Sequence, residues 1–316
     1  MIIAKNLTRR YGIFTAVDDV SFRIGAGEIV GLLGHNGAGK TTIMKMLTGF
    51  LEPAAGSAVI GGYDMERERS LAQASVGYLP ENCPLYPEMS VAEFLDYAAA
   101  LKGVSDEARP QVIQEAIAAT ELGGKAMEPV SSLSRGYRQR VGVAQAILNK
   151  PKIVILDEPT NGLDPSQIKQ MRALIKRLAE TATVMLSTHI LQEVAAVCGR
   201  VIVINRGKLA LDSSLADLSR DCRLRLVTNG APDAVEPLIG GLNLVKGIDI
   251  LPSQGAANAY GLHLNGHSLE EVAPQVARAI TGNGLELFSL YAEQRDLEAV
   301  FAEITAGSAT QEVAHV

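Results

Sequence analysis

The sequence lacks several features that would point to other kinds of protein. No run of apolar residues approaches the roughly 20 that a membrane-spanning helix needs, so we expect that the chain does not cross a bilayer. The first residues, M-I-I-A-K-N-L-T-R-R, contain no apolar stretch like that of a secretory signal. The three cysteines, Cys83, Cys198 and Cys222, show no metal-ligand spacing, which predicts reduced thiols of a cytosolic protein.

An excess of positive charge is also missing. The net charge of −6 and the pI near 5.5 argue against a partner made of nucleic acid. The acidic residues are concentrated at one end: residues 221–316 hold 5 Lys and Arg against 12 Asp and Glu, whereas residues 1–220 hold 24 against 23. This shift predicts a main domain over residues 1–220 and an acidic accessory domain over residues 221–316.

Short apolar runs alternate with helical patterns through the first 220 residues. Continuous apolar runs predict strands that are buried on both faces of a sheet covered by helices, which is α/β architecture. The candidate strands are Ile29–Leu33, Val76–Leu79, Ile153–Leu156, Val184–Ser187 and Val201–Asn205. Residues 84–150 follow a helical spacing instead, which predicts a helical subdomain inserted between two strands.

The acidic end has a pattern of its own. Its apolar runs predict the order βαββαβ, which is typical of a small α+β domain of the ferredoxin-like kind. A closing helix is predicted over Asp296–Ile304.

Residues 34–42 read G-H-N-G-A-G-K-T-T between a predicted strand and a predicted helix. In this context glycines let backbone N–H groups point at phosphates, and the helix N-terminus adds positive potential. Lys40 would bridge the β- and γ-phosphates of ATP, and Thr41 would coordinate Mg²⁺. The alternative is a glycine-rich turn with an incidental lysine. The predicted nucleotide-binding loop consists of Gly34, His35, Asn36, Gly37, Ala38, Gly39, Lys40, Thr41 and Thr42.

Two carboxylates follow the predicted strand Ile153–Leu156. Ligands bind at the carboxyl ends of strands in such sheets, so we expect Asp157 and Glu158 to face the nucleotide. Asp157 suits the Mg²⁺ shell, and Glu158 suits a general base that polarises the attacking water. Alone, the pair would be read as solvated acids at a strand end.

Residues 133–140, L-S-R-G-Y-R-Q-R, resemble the signature sequence of ABC-type ATPases. The resemblance implies that Ser134, Gly136 and Gln139 contact the γ-phosphate of a nucleotide held by another copy, again with an anion at a helix start. The alternative is a plain helix cap.

Further motifs occur in the order that this family shows. Asn161–Asp164 resembles the D-loop, and His189 in S-T-H matches the switch histidine that would contact the γ-phosphate. Tyr11 stands where the family places an aromatic that stacks on adenine, and Glu81 stands where the family usually has a glutamine that serves Mg²⁺. For His189 and Tyr11 the alternative is a purely structural role.

The resemblance implies an ABC-type P-loop NTPase domain and an ATPase that works with ATP and Mg²⁺. The G-Y-L-P-E text before Asn82 and the L-E-x-x-F-x-x-x-T ending before Ala306 are similar to subunits of ABC-2-type exporters, the gliding-motility subgroup among them. The implied assembly is a head-to-tail homodimer, or a pair with a close paralogue, with a transmembrane permease at the cytoplasmic face of the inner (plasma) membrane. The alternatives are a soluble ABC-type ATPase acting on nucleic acid or ribosomes, and a non-catalytic nucleotide sensor.

Overall fold

The structure is a computed structural model that describes residues 1–220, 223–252, 257–265, 267–293 and 297–306. It contains two compact units, of which the first is Met1–Ser214 and the second begins at Leu215. The boundary predicted after Arg220 lies at the end of a short helix, Leu215–Arg220, within the second unit. Within the described ranges, no helix combines the length and the apolar character that a membrane crossing requires.

A six-stranded sheet is the centre of the first unit. Its strands are β3 (Ile29–Leu33), β6 (Val76–Leu79), β7 (Ile153–Asp157), β8 (Thr183–Thr188), β9 (Arg200–Asn205) and β10 (Lys208–Ser214). The spatial order is β10-β9-β3-β8-β7-β6, in which β10 is antiparallel to β9 and the other neighbours are parallel. All five predicted strands are found here, and β7 is buried along its whole length, as its apolar run predicts. Because β3, β8 and β7 are neighbours, their carboxyl ends meet at one edge, and the predicted loop and acids follow there.

An antiparallel sheet forms the second layer of this unit. It consists of β1 (Ile2–Tyr11), β2 (Phe14–Ile24), β4 (Ala55–Ile60) and β5 (Tyr63–Asp64), in the order β2-β1-β4-β5. Helix α1 (Lys40–Leu47) contributes Ile43, Met44, Met46 and Leu47 to an apolar cluster shared by both sheets. The predicted nucleotide-binding loop is therefore anchored at both ends, by a central strand and by a helix in the core.

The described elements between β6 and β7 are helical, as predicted. They are α3 (Val91–Leu101), α4 (Arg109–Ala119) and α5 (Arg135–Ile147), with two short 3₁₀ turns at Gly123–Lys125 and Val130–Ser132. Helix α3 begins with a capping box formed by Ser90 and Glu93. Apolar residues of all three helices form one cluster, so the insertion has its own core. Three further helices of this unit are α2 (Arg69–Ala74), α6 (Pro165–Ala179) and α7 (Leu191–Val197).

The second unit packs two helices against one face of a four-stranded antiparallel sheet. After α8 (Leu215–Arg220) its elements are β11 (Arg223–Thr228), α9 (Pro232–Gly240), β12 (Val245–Leu251), β13 (Asn258–Leu264), α10 (Leu269–Gly282), β14 (Leu287–Glu293) and α11 (Leu297–Ala306). From β11 to β14 the described elements follow the predicted order βαββαβ, and the sheet order is β12-β13-β11-β14. The predicted start of the last helix, Asp296, lies outside the described residues.

Candidate functional site

The glycine-rich loop joins β3 to α1, and its glycines have conformations that other residues rarely adopt. Gly37 has φ 80° and Gly39 has φ 107°, both in the left-handed region. A Cβ added to Gly39 would lie 2.6 Å from the carbonyl oxygen of Ala16, so a side chain would also collide with the backbone of β2. At these two positions no side chain covers the backbone of the loop before the start of α1.

Lys40 is the first residue of α1, and only 6% of it is exposed. Its Nζ donates hydrogen bonds to the carbonyl oxygens of Gly34 (2.7 Å) and His35 (3.2 Å). The same Nζ lies 3.6 Å from Oε1 of Glu158. The ammonium group is thus held at the loop, between two backbone carbonyl groups and the carboxylate of Glu158.

Thr41 and Asp157 meet at the end of β7. The Thr41 hydroxyl donates to Oδ1 of Asp157 at 3.4 Å, and the Ser187 hydroxyl donates to the same oxygen. Asp157 is fully buried, and its Oδ2 has no hydrogen-bond partner among the described residues. A buried carboxylate oxygen without a donor is costly, and a cation would satisfy it.

The donor set here fits Mg²⁺ in particular. Within the described ranges, no group of three or more His, Cys, Asp or Glu side chains is placed to hold a metal ion. Mg²⁺ does not need three such side chains, because it binds through one or two protein ligands together with waters and phosphate oxygens. Thr41 and Asp157 offer that number of ligands beside the phosphate loop.

Glu158 follows β7 in a left-handed conformation, φ 49°, which is uncommon for a residue with a side chain. Its amide donates to the backbone oxygen (3.2 Å) and the hydroxyl (3.0 Å) of Ser187, which ties the turn to β8. Its Oε2 lies 3.0 Å from Nδ1 of His189. The predicted base and the predicted switch histidine are therefore in direct contact.

These groups line one cleft of about 510 Å³. The lining residues are Tyr11, Phe14, Ala16, Asn36, Gly37, Gly39, Lys40, Thr41, Thr42, Glu81, Glu158, Asn161 and His189. The loop residues Gly34, His35 and Ala38 are not among them, and Asp157 lies beneath the cleft rather than on its surface. One stretch of surface thus combines a lysine, a hydroxyl, carboxylates and exposed aromatics.

Sequence reasoning did not assign Phe14 or Ala16 to the cleft, and it named Asn161 only as part of the segment that resembles the D-loop. Phe14 pairs with Tyr11 across the turn between β1 and β2, so an aromatic three residues after Tyr11 was the available signal. Asn161 donates from Nδ2 to Oε1 of Glu81 at 3.5 Å. Glu81 therefore lines the cleft, with an amide partner from the turn that follows β7.

Residues 133–140, which we call the Ser134 patch, are not among the residues that line this cleft. The hydroxyl of Ser134 accepts a hydrogen bond from the Tyr137 amide (3.4 Å), so the helix-cap role is present. Gly136 is buried against Gln167, to whose Cδ an added Cβ would lie 2.6 Å away. Gln139 lines a different pocket, together with Glu81 and Cys83. Within one copy, none of these three predicted residues lines the cleft that contains Lys40.

The two cysteines that the structure describes do not line the cleft. Cys83 and Cys198 are free thiols, and burial raises their pKa values to about 11 and about 12, which keeps them protonated and unreactive at neutral pH. Cys222 lies outside the described residues.

Comparison with known proteins gives consistent results. A family model described as "ABC transporter" matches residues 17–161. An uncharacterised ABC transporter ATP-binding protein of Bacillus subtilis (strain 168), YdbJ, is 35% identical over 95% of this chain and 94% of its own length. The linearmycin resistance ATP-binding protein LnrL of the same organism is 29% identical over 96% of this chain and 98% of its own. Among solved structures, a dimeric post-hydrolysis state of the ATP-binding cassette MJ0796 bound to ADP and Pi superposes with a TM-score of 0.62, at 25% identity over 68% of this chain and 99% of that one.

Proposed function

We propose, from the premise that this chain belongs to the family of ABC transporter ATP-binding proteins, that two copies hydrolyse ATP head to tail and drive export through a separate permease. The first unit is an ABC-type P-loop NTPase domain, and ATP hydrolysis is the activity of that domain. One observation supports the dimer: the cleft contains the groups for phosphate, base and metal, whereas no residue of the Ser134 patch lines it.

Within the cleft each predicted residue has a role that its contacts support. Lys40 exchanges its backbone acceptors for the β- and γ-phosphates, because phosphate oxygens are the stronger acceptors for an ammonium group. Glu158 polarises the attacking water, and His189 orients that carboxylate and contacts the γ-phosphate. Thr41, Asp157 and Glu81 would hold Mg²⁺, which when bound neutralises charge on the phosphates.

Adenine stacks on Tyr11 at the mouth of the cleft. The guanidinium of Arg9 lies over the Tyr11 ring, 5.0 Å from its centroid. This contact fixes the orientation of the Tyr11 ring. Because Tyr11 is still 48% exposed, a purine has room to stack on the ring. Phe14, on the neighbouring strand, gives the base a second apolar contact.

The opposing copy completes each site. The first turn of α5 presents the Ser134 hydroxyl and the amide groups of a helix N-terminus, which favour an anion such as the γ-phosphate. Gly136 and Gln139 are the other residues that we assign to this contact. A symmetric pair makes the same contact twice, so two ATP molecules are enclosed between two copies. The dimeric state described for the MJ0796 cassette supports this arrangement.

Export, the permease and the membrane location follow from relatives rather than from the cleft. The name of LnrL, a resistance protein, supports an efflux role of the ABC-2 type for this chain, and the gliding-motility subgroup stays our assignment. We place the protein at the cytoplasmic face of the inner membrane, bound to a transmembrane permease and to no nucleic acid. The sheet order β12-β13-β11-β14 supports a ferredoxin-like accessory domain in the second unit.

A subunit-mixing experiment tests the proposal. Lys40→Ala disables the loop side of a site, and Ser134→Arg disables the opposing side, so each variant is inactive alone. When the two variants are mixed, half of the pairs contain one intact composite site, and about a quarter of the wild-type ATPase activity returns.

The matched control is Ser132→Arg, an equally bulky change at an exposed serine two residues away, which leaves the activity near wild type. If mixing restores no activity although Ser134→Arg still binds ATP, the composite site is wrong.

A further inference from the structure

Arg135, the first residue of α5, has a contact that the proposed function does not use. The residue is exposed, and it has no hydrogen-bond or ion-pair partner in the part of the chain that the structure describes. Its guanidinium group lies against Gly162 instead: a Cβ added to Gly162 would lie 2.5 Å from Nη1 and 2.8 Å from Nε of Arg135. A planar, weakly hydrated guanidinium is suited to lying flat on a backbone in this way.

Gly162 makes room for this contact. It has φ 71°, in the left-handed region, and any side chain there would displace the guanidinium. A second glycine contact lies beside it, because the side chain of Gln167 covers Gly136. The first turn of α5 and the segment that leads into α6 are therefore packed on each other through two glycines.

The segment that contains Gly162 is part of the cleft. The Asn161 amide donates to the carbonyl oxygen of Glu158 (3.1 Å), and the Leu163 amide donates to that of Thr160 (3.2 Å). Asn161 lines the cleft and bonds Glu81. The Arg135 contact is thus one residue away from the cleft wall, and two turns of backbone connect it to Glu158.

We infer that Arg135 is a positioning residue that couples the first turn of α5 to the catalytic cleft of its own copy, through Gly162 and Asn161. The inference rests on the proposed roles of Glu158 and the cleft, and it adds a route within one chain between the surface that meets the partner and the groups that act on ATP. Loss of the guanidinium leaves ATP binding intact but lets the Asn161 turn shift, which misplaces Glu158.

Steady-state ATPase kinetics test this coupling. Arg135→Ala lowers kcat by about 3- to 30-fold while KM for ATP stays within about twofold, the range expected when a residue acts through a network. Arg135→Lys does not restore kcat, because an ammonium group has no plane to lie on Gly162. The control is Arg67→Ala, which removes an exposed arginine that lines neither the cleft nor the pocket beside Gln139 and leaves kcat unchanged.

A double-mutant cycle with Gly162→Ala isolates the contact. The strain of a side chain at φ 71° is the same in both backgrounds, so it cancels, whereas displacement of the guanidinium occurs only when Arg135 is present. Non-additive effects on kcat are expected. Additive effects, a wild-type kcat for Arg135→Ala, or full rescue by Arg135→Lys would overturn the inference. The mixing experiment with Lys40→Ala and Ser134→Arg does not involve Arg135, so failure of the dimer and failure of this coupling give separate results.

Discussion

Replacing Glu158 with glutamine removes one negative charge from the cleft while the shape of the side chain is kept. In the structure the carboxylate lies 3.6 Å from the Lys40 ammonium and 3.0 Å from His189 Nδ1. At an effective dielectric constant near 20, a charge pair at 3.6 Å attracts with about 5 kcal/mol before desolvation is counted. That attraction competes with the phosphates for Lys40, so Glu158→Gln is expected to bind ATP at least as tightly as the wild type.

The effect on turnover has the opposite direction. A positioned general base contributes roughly 10²- to 10⁴-fold to the rate. Because a tenfold change in rate corresponds to about 1.4 kcal/mol, the barrier rises by about 3 to 6 kcal/mol when the base is lost. Tighter or unchanged ATP binding combined with such a loss of kcat separates a missing base from a damaged fold, since damage weakens both.

The measurements are kcat from phosphate release, the Kd for ATP from equilibrium titration, and the population of dimers in the presence of ATP and Mg²⁺ from size-exclusion chromatography. The variant accumulates the dimer because closed pairs no longer turn over. Glu52→Gln, the same change at an exposed residue outside the cleft, serves as control. A kcat within threefold of the wild-type value would refute the base assignment.

Three further predictions follow from individual contacts. Arg172→Ala removes two hydrogen bonds, of 2.7 and 3.0 Å, from the carboxylate of Glu193, which is 4% exposed. Because a buried charge is then left without a partner, the free energy of unfolding falls by about 3 kcal/mol. An unchanged melting temperature would contradict this. Burial lowers the pKa of the Lys102 ammonium to about 8, so above that pH the folded chain has lost a proton that the unfolded chain keeps until its ordinary value of 10.5. The free energy of unfolding therefore rises between pH 8 and 10.5, and urea titrations of Lys102→Met across this window show a smaller rise. Glu81→Gln keeps an oxygen acceptor for Asn161 but loses a charged ligand, so half-maximal ATPase activity requires several-fold more Mg²⁺; an unchanged requirement would remove Glu81 from the metal site.

The central sheet could be predicted because its strands are buried on both faces. The segments Ile29–Leu33 and Ile153–Leu156 are continuous apolar runs that are shorter than a typical helix, which favours buried strands. The carboxyl ends of these strands then define where the loop and the acids meet, since ligands bind at that edge of a parallel sheet. The positions of Lys40 and Glu158 near one another follow from this topology.

The antiparallel sheet could not be predicted in the same way, because its strands are only partly buried. Strand β4 reads A-G-S-A-V-I, and exposed and buried residues are mixed along it. Strand β1 contains irregularities in its pairing with β2, which interrupt the alternation that a regular half-buried strand would show. Phe14 reaches the cleft through its pairing with Tyr11 in this irregular sheet, so its spacing from Tyr11 indicates a role only once the pairing is known.

The contact between Arg135 and Gly162 could not be predicted either, because it depends on how α5 packs against the segment before α6. A glycine after Asn161 is compatible with any tight turn, and an arginine at the start of a helix has no preferred partner. Only the three-dimensional arrangement shows that the conformation of Gly162 leaves space for the guanidinium group. Such long-range contacts depend on tertiary packing and leave no local pattern in the sequence.

The two readings of Ser134, helix cap and phosphate contact, use different parts of the same hydroxyl group. A hydroxyl has one donor and two acceptor positions. In the structure the oxygen accepts from the Tyr137 amide, so the cap engages one acceptor position and leaves the proton available for donation. A phosphate oxygen at the start of α5 would accept a hydrogen bond from that hydroxyl, and the helix dipole favours the negative charge of the phosphate. The cap is therefore compatible with the contact that we propose between Ser134 and the opposing nucleotide, because it leaves the hydroxyl proton available.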